Sequence, residues 1–202
     1  MAKRVRLSPD ARRAQLIELG VQMLATRSLE DLSVEALADE AGISRGLLFH
    51  YFRSKQEFHL EVVRATSRQL IERTEPDPSL APYEQLTSSL GAYVDYVTQN
   101  REVYVSLVRG AASGDAAVRE VSHETRTELA NRVLKNLDAL GLPHEARTEL
   151  AIRGWVAFCE EVVVSWLAGD DQLPREELLA VLANALPGVV LNVDPQWLRD
   201  LS

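Results

Sequence analysis

The densest chemistry in the chain lies between Ser44 and Lys55. Ser44, Arg45, Gly46, Leu47, Phe49, His50, Tyr51 and Lys55 bring hydroxyls, cations and aromatic rings into one short stretch. Hydroxyls, cations and helix N-termini bind phosphate oxygens, and an arginine can grip guanine through two parallel hydrogen bonds. No catalytic constellation accompanies them. The four histidines (His50, His59, His123 and His144) are scattered, and His144-Glu145 lacks the second histidine that a zinc peptidase needs. There is no Gly-x-Ser-x-Gly elbow and no phosphate-binding glycine loop. Cys159 is the single cysteine, so neither a disulfide framework nor a thiolate metal cluster can form. Neither an enzyme nor a bound metal or cofactor is expected.

Charge singles out the same region. The 202 residues carry a net charge of −8. Residues 1–75 hold 12 Lys+Arg against 11 Asp+Glu, whereas 76–202 hold 10 against 19. An acidic remainder is compatible with an anionic partner if it faces away, because affinity for nucleic acid depends on local phosphate contacts. The basic start, Met1 to Arg6, is followed by no apolar signal region. The most apolar stretch, Leu178 to Leu191, contains Asn184 and Pro187 and is shorter than the roughly 20 residues of a membrane span. A soluble protein of the reducing cytoplasm is expected, with no membrane partner.

Positioning falls to helices, since apolar spacing is helical nearly throughout and no stretch alternates at period two. Ser8-Pro9-Asp10 opens the first helix with a cap, a proline at its first position and an acid in its first turn. Ser33 caps a short second helix containing Val34, Leu37 and Ala38. Gly42 ends it, Ser44 caps a third helix through about Tyr51, and Ser54-Lys-Gln-Glu57 is a capping box for a long fourth. Leu37, Ala38, Ile43 and Leu48 are placed to hold the second and third helices together as a helix-turn-helix. Further helices are expected at about 83–99, 101–112, 116–140, 144–169 and 174–191, beyond the proline-rich Glu75 to Pro82. Asn100, Asp115, Pro143 and Pro174 mark starts; Gly141 and Gly169 mark stops. The fold class expected is all-α, about nine helices: a three-helix helix-turn-helix domain over 1–56, then a helical domain over 57–202.

The run from Ser33 through Ala41-Gly42-Ile43-Ser44-Arg45-Gly46-Leu47-Leu48-Phe49-His50-Tyr51-Phe52 to Lys55 resembles the DNA-binding signature of TetR-family regulators. The likeness extends back through the first helix and on to about Phe58. It implies that Ser44 caps the recognition helix and touches a phosphate, and that Arg45 and Leu47 face base edges. Gly46 would let the backbone approach the DNA, while His50, Tyr51 and Lys55 reach phosphates. Ser33 and Phe49 complete the implied contact set. Phe49 stands where the family usually has tyrosine, so a phenol oxygen is lost, although the ring can still meet a thymine methyl. Ser28 replaces a glycine that often follows the first helix. Lys3, Arg4 and Arg6 form either a DNA-touching arm or an unspecific basic start.

In the segment 144–169, Ala151, Trp155, Phe158, Val162 and Trp166 share one face, and Ile152, Val156, Cys159, Val163 and Leu167 the adjoining one. This arc is wider than a surface helix usually shows, so the helix must be covered on two sides. The resemblance implies a homodimer through the helices at 144–169 and 174–190; the same residues could instead form only a monomer core. It also implies a mostly apolar small-molecule effector. Tyr93, Tyr96, Tyr104, His123, Trp155, Phe158 and Cys159 are candidate liners, each with a core role as its alternative. Glu160 and Glu161 would suit a cationic ligand or simply a solvated face. The function implied is a ligand-responsive regulator, a repressor by resemblance, on a near-palindromic operator in double-stranded DNA. The competing reading is a helical interaction or ligand-binding protein that no longer reads DNA.

Overall fold

A computed structural model of the chain describes residues 8–24, 32–105, 108, 115–139, 145–169 and 173–193. The expectations attached to Lys3, Arg4, Arg6, Ser28, Gly141, Pro143, His144 and the tail after 193 lie outside the described residues. Within them the secondary structure is helical, without strands: α1 (Pro9–Leu24), α2 (Val34–Glu40), α3 (Arg45–Tyr51), α4 (Lys55–Arg73), α5 (Pro82–Gln99), α6 (101–105 and 108), α7 (Ala116–Ala139), α8 (Ala146–Ala168) and α9 (Arg175–Val193). No described helix is long and apolar enough to cross a membrane.

By packing, the chain forms two compact units. One comprises Met1–Gln69 and Gln99–Ser122; the other comprises Leu70–Thr98 and His123–Ser202. In the first, Leu16, Leu24, Leu32, Leu37, Leu48, Phe52, Phe58 and Val62 are almost wholly buried in one cluster. Val103, Val118 and Val121, from α6 and the start of α7, join the same cluster. The rings of Phe52 and Phe58 meet edge to face, 5.0 Å between centroids. At Gly20, α1 packs tightly against α4. A Cβ there would sit 2.7 Å from Phe58 Cζ and 2.8 Å from Val62 Cγ2, so no larger residue fits without displacement.

Local signals set the helix boundaries. Ser8 Oγ accepts from the Ala11 N–H at 3.2 Å, and Asp115 Oδ1 accepts from the N–H groups of Ala117 and Val118. At α4 the capping box is shifted by one residue. Ser54 Oγ accepts from Glu57 N as expected, but the Glu57 carboxylate accepts from Arg53 N rather than from Ser54 itself.

The second unit is organised around α8 and α9. Ile152, Val156, Cys159 and Val163 on α8 are buried, as are Leu178, Leu182 and Ala183 on α9. The Trp155 indole N–H donates to the Leu182 carbonyl at 3.0 Å and so fixes the pair in register. Arg175, at the start of α9, pairs with Asp95 through two contacts of 2.8 and 2.9 Å and donates to the Gly91 carbonyl. Arg132 on α7 donates to the Ile71 carbonyl, to Thr74 Oγ1 and to the Glu75 carboxylate, satisfying one carbonyl in the last turn of α4 and holding the two residues that follow it. Pro187 lies inside α9 on its exposed side. It supplies no N–H to the carbonyl four residues earlier, yet the helix continues through it.

Candidate nucleic-acid interface

The joint between α2 and α3 is built almost entirely from backbone and two serines. Ser33 Oγ accepts from Ala36 N at 3.0 Å, and Ser44 Oγ accepts from Leu47 N at 3.2 Å. Each serine thereby satisfies one of the N–H groups that a helix start leaves unpaired. Between them Gly42 takes φ +62°, the left-handed conformation that costs glycine nothing. The Ile43 N–H then reaches back to Ala38 O at 2.9 Å, and Gly42 N–H to Asp39 O at 3.1 Å. This pair of bonds is the Schellman arrangement, with Ile43 turned inward just past the glycine. The turn is therefore closed by its own backbone before any side chain packs.

Packing then decides which face of α3 is free. Leu48 is 1% exposed and is the buried residue of this helix, in one core cluster with Leu37 of α2; Ala38 is also buried. Ser44, Arg45, Gly46, Leu47, Phe49 and His50 are exposed, with Leu47 at 39% and Phe49 at 45%. Tyr51 and Lys55 are half-buried, and the His50 and Tyr51 rings meet edge to face at 5.4 Å. The geometry thus brings the sequence-selected residues of α3 onto one outward surface. Ser33 differs: it is half-buried and caps α2, whereas Ser44, whose oxygen caps α3 in the same way, is exposed.

The support behind this surface is both apolar and ionic. Arg13 stacks over the Phe52 ring at 5.0 Å and pairs with Glu57 and Glu61. Burial pushes the Glu61 carboxyl up, but hydrogen bonds from Arg64 and Arg13 outweigh it and hold it below its usual range. His59 Nε2 lies 2.7 Å from the Leu32 carbonyl. Its pKa is lowered, chiefly by burial, with Lys55 adding repulsion and the Leu32 contact opposing. A neutral ring donating to that carbonyl anchors α4 to the residue just before the α2 cap. Sequence reasoning gave His59 no role. It also missed Glu35, whose Oε1 lies 2.6 Å from Arg45 Nη2.

The candidate effector residues differ in burial. Tyr93, Tyr96, Trp155 and Cys159 are buried in the second unit. Tyr104 is buried in the first unit, and His123 is exposed. Phe158, one residue from Cys159, points outward and is 38% exposed. Burial drives the Cys159 thiol up to about 12, so it holds no reactive thiolate at neutral pH. Glu160 is also raised by burial, against an opposing ion pair with Arg126. Glu161 is exposed.

A capped, outward-facing helix of seven residues, clamped to a hydrophobic core by one leucine, defines a helix-turn-helix regulator of the DNA-binding class. Residues 16–62 match the family model described as "Bacterial regulatory proteins, tetR family", and residues 82–187 match "Tetracyclin repressor-like, C-terminal domain". The chain belongs to the TetR family of transcriptional regulators. Members of this family bind operator DNA, usually as dimers, and respond to small molecules. Among its relatives is the "HTH-type transcriptional repressor KstR2" of Mycolicibacterium smegmatis, 38% identical over 81 residues. That match covers 39% of this chain and 40% of the relative. The "HTH-type transcriptional activator FasR" of the same species is 27% identical over 180 residues, covering 85% of this chain and 79% of its own. A solved structure of a TetR-family regulator from Streptomyces coelicolor superposes with a TM-score of 0.84 at 28% identity, over 94% of this chain and 86% of the other.

Proposed function

We propose that the chain is a one-component repressor that reads a near-palindromic operator as a homodimer and releases it when a small, mostly apolar molecule binds. In functional terms, residues 1–56 read DNA, and 57–202 dimerise and sense. The observation that carries this reading is α3 itself. It commits Leu48 to the core and leaves Ser44, Arg45, Gly46, Leu47, Phe49 and His50 facing outward. Arg45 and Leu47 take base edges; Ser44, His50, Tyr51 and Lys55 take phosphates; Ser33 braces the start of α2 beside them. Gly46 supports this assignment. Among the described residues a Cβ there would meet nothing nearer than Ser44 Oγ at 4.0 Å, so no packing among them calls for glycine at that position. Close approach of DNA to the backbone does. Phe49 offers its exposed ring to a thymine methyl.

Dimerisation falls to α8 and α9. Their outward side carries Gly154, Phe158, Val181 and Gly188, all exposed in the single chain. Among the described residues, a Cβ at Gly154 or Gly188 would meet nothing within 4 Å. Glycine inside a helix costs roughly 0.5–1 kcal/mol relative to alanine, and close packing of a second copy would offset that cost. A two-fold axis through this face gives an isologous interface. For the effector, Tyr93, Tyr96, Trp155 and Cys159 supply buried apolar surface with a few polar atoms, and Tyr104, His123 and Phe158 complete the candidate set. The effector lowers DNA affinity only to the extent that it binds the released conformer more tightly than the DNA-bound one. Gel-shift titration of the full chain with DNA upstream of its own gene, at low and high salt, tests the reading. Specific, salt-sensitive retardation is expected; the absence of specific retardation at any promoter would remove it.

A further inference from the structure

We infer that Glu35 is a specificity-determining residue, a carboxylate that holds Arg45 in the rotamer from which it reads one base pair. The inference rests on the proposed role of α3 in reading DNA. Ser33 places Glu35 in the first turn of α2, and Ser44 makes Arg45 the first residue of α3. The Schellman turn fixes those two helix starts relative to each other. Glu35 Oε1 meets Arg45 Nη2 at 2.6 Å, with the side chains 52% and 63% exposed. A pair so exposed contributes little to folding, because solvent screens it and both side chains lose rotamer freedom. Its consequence lies elsewhere. A guanidinium carries five N–H donors in a rigid fork, so a contact through Nη2 leaves donors over for a two-point grip on guanine. An arginine already held loses less freedom on meeting its base, and one held in a single direction discriminates against other bases. The same carboxylate repels phosphates, so it weakens binding to DNA of any sequence while sharpening binding to the right one.

The pattern expected is therefore lower discrimination together with higher unspecific affinity. Glu35→Gln keeps the shape of the side chain and removes its charge. The full-length protein, Glu35→Gln, Arg45→Ala and the double variant would each be equilibrated with a randomised duplex library, and the bound fraction sequenced. Affinity for a duplex of unrelated sequence would be measured alongside. Glu35→Gln should relax preference by a factor of about two to ten. It should do so at the same base position that Arg45→Ala relaxes, with unrelated duplex bound more tightly. In the Arg45→Ala background Glu35→Gln should leave the base profile unchanged. If the carboxylate merely stabilises the start of α2, Glu35→Gln would lower the melting temperature in both backgrounds and leave the profile sharp; that result overturns the inference. Relaxation by Glu35→Gln in the absence of Arg45 overturns it too. If the wild-type chain selects no motif, the DNA-reading assignment falls with it. If a motif appears and Arg45→Ala relaxes no position, the assignment of Arg45 and this inference fall together while DNA reading stands.

Discussion

Among the described residues, two regions expose a helix face, on α3 and on α8 and α9, and the faces differ in chemistry. The face of α3 carries serine, arginine, histidine and a glycine, with Leu47 and Phe49 among them. The face of α8 and α9 carries Gly154, Ala157, Phe158 and Val181, with Glu161 and Asn184 beside them. Polar groups on a rigid, capped helix suit a hydrated polyanion. Small apolar residues interrupted by few charges suit a second protein surface. Their supports differ as well. Behind α3 stands a core clamped by Leu48, Phe52 and Phe58, whereas α8 buries eight of its own residues, from Thr148 to Leu167. Exposure alone thus says little about function; what is exposed, and how firmly it is held from behind, says more.

The largest expected effect tests that support. Phe58→Ala removes a ring buried to 1% exposure from the cluster that carries α3, and should destabilise the first unit by about 3–5 kcal/mol in a urea titration. A loss below 1 kcal/mol would mean that the cluster does not hold the reading helix. Phe158→Glu probes the other face. It should weaken the proposed homodimer by about 2 kcal/mol or more, seen by sedimentation, while the monomer keeps its helical circular dichroism. A dimer of unchanged affinity would place the interface elsewhere. Arg45→Ala should weaken operator binding by about 1–3 kcal/mol and relax one base position with no change in thermal stability, since Arg45 lies outside the core.

The smallest effect concerns His59. Its folded pKa lies below the ordinary value of about 6.5, so the unfolded chain takes up the proton first as pH falls. The stability it supports is present above pH about 6.5 and declines as pH falls through and below that value. Urea midpoints across this range should therefore drop in the wild type and drop less in His59→Gln, whose amide can still donate to Leu32 O. Equal slopes would mean that the histidine is not held neutral.

Much of the first region was legible in the sequence because its signals are local. Ser33, Gly42, Ser44 and Ser54 each act within a few residues of themselves, and each makes the hydrogen bond or adopts the backbone conformation its residue type favours. What was not legible is tertiary. No spacing rule links Glu35 to Arg45 or His59 to Leu32, since those contacts depend on how separate helices pack. The same holds for Val103, Val118 and Val121, which lie far along the chain yet share the core behind α3. In α8 the wide apolar arc was readable, but the pattern could not tell which side the chain itself covers. Trp155 turned inward to Leu182, and Phe158, three residues on, stayed outside.

The central claim is that α3 reads bases in the major groove, once from each half of a dimer. Methylation interference on the bound operator tests it most directly, because it reports contacts at guanine N7, which lies in that groove. The account predicts interference in two half-sites related by a dyad and centred about one helical turn, or a whole number of turns, apart, with a signal in each lost for Arg45→Ala. Binding that is indifferent to N7 methylation, or a single unpaired patch of contacts, would contradict it.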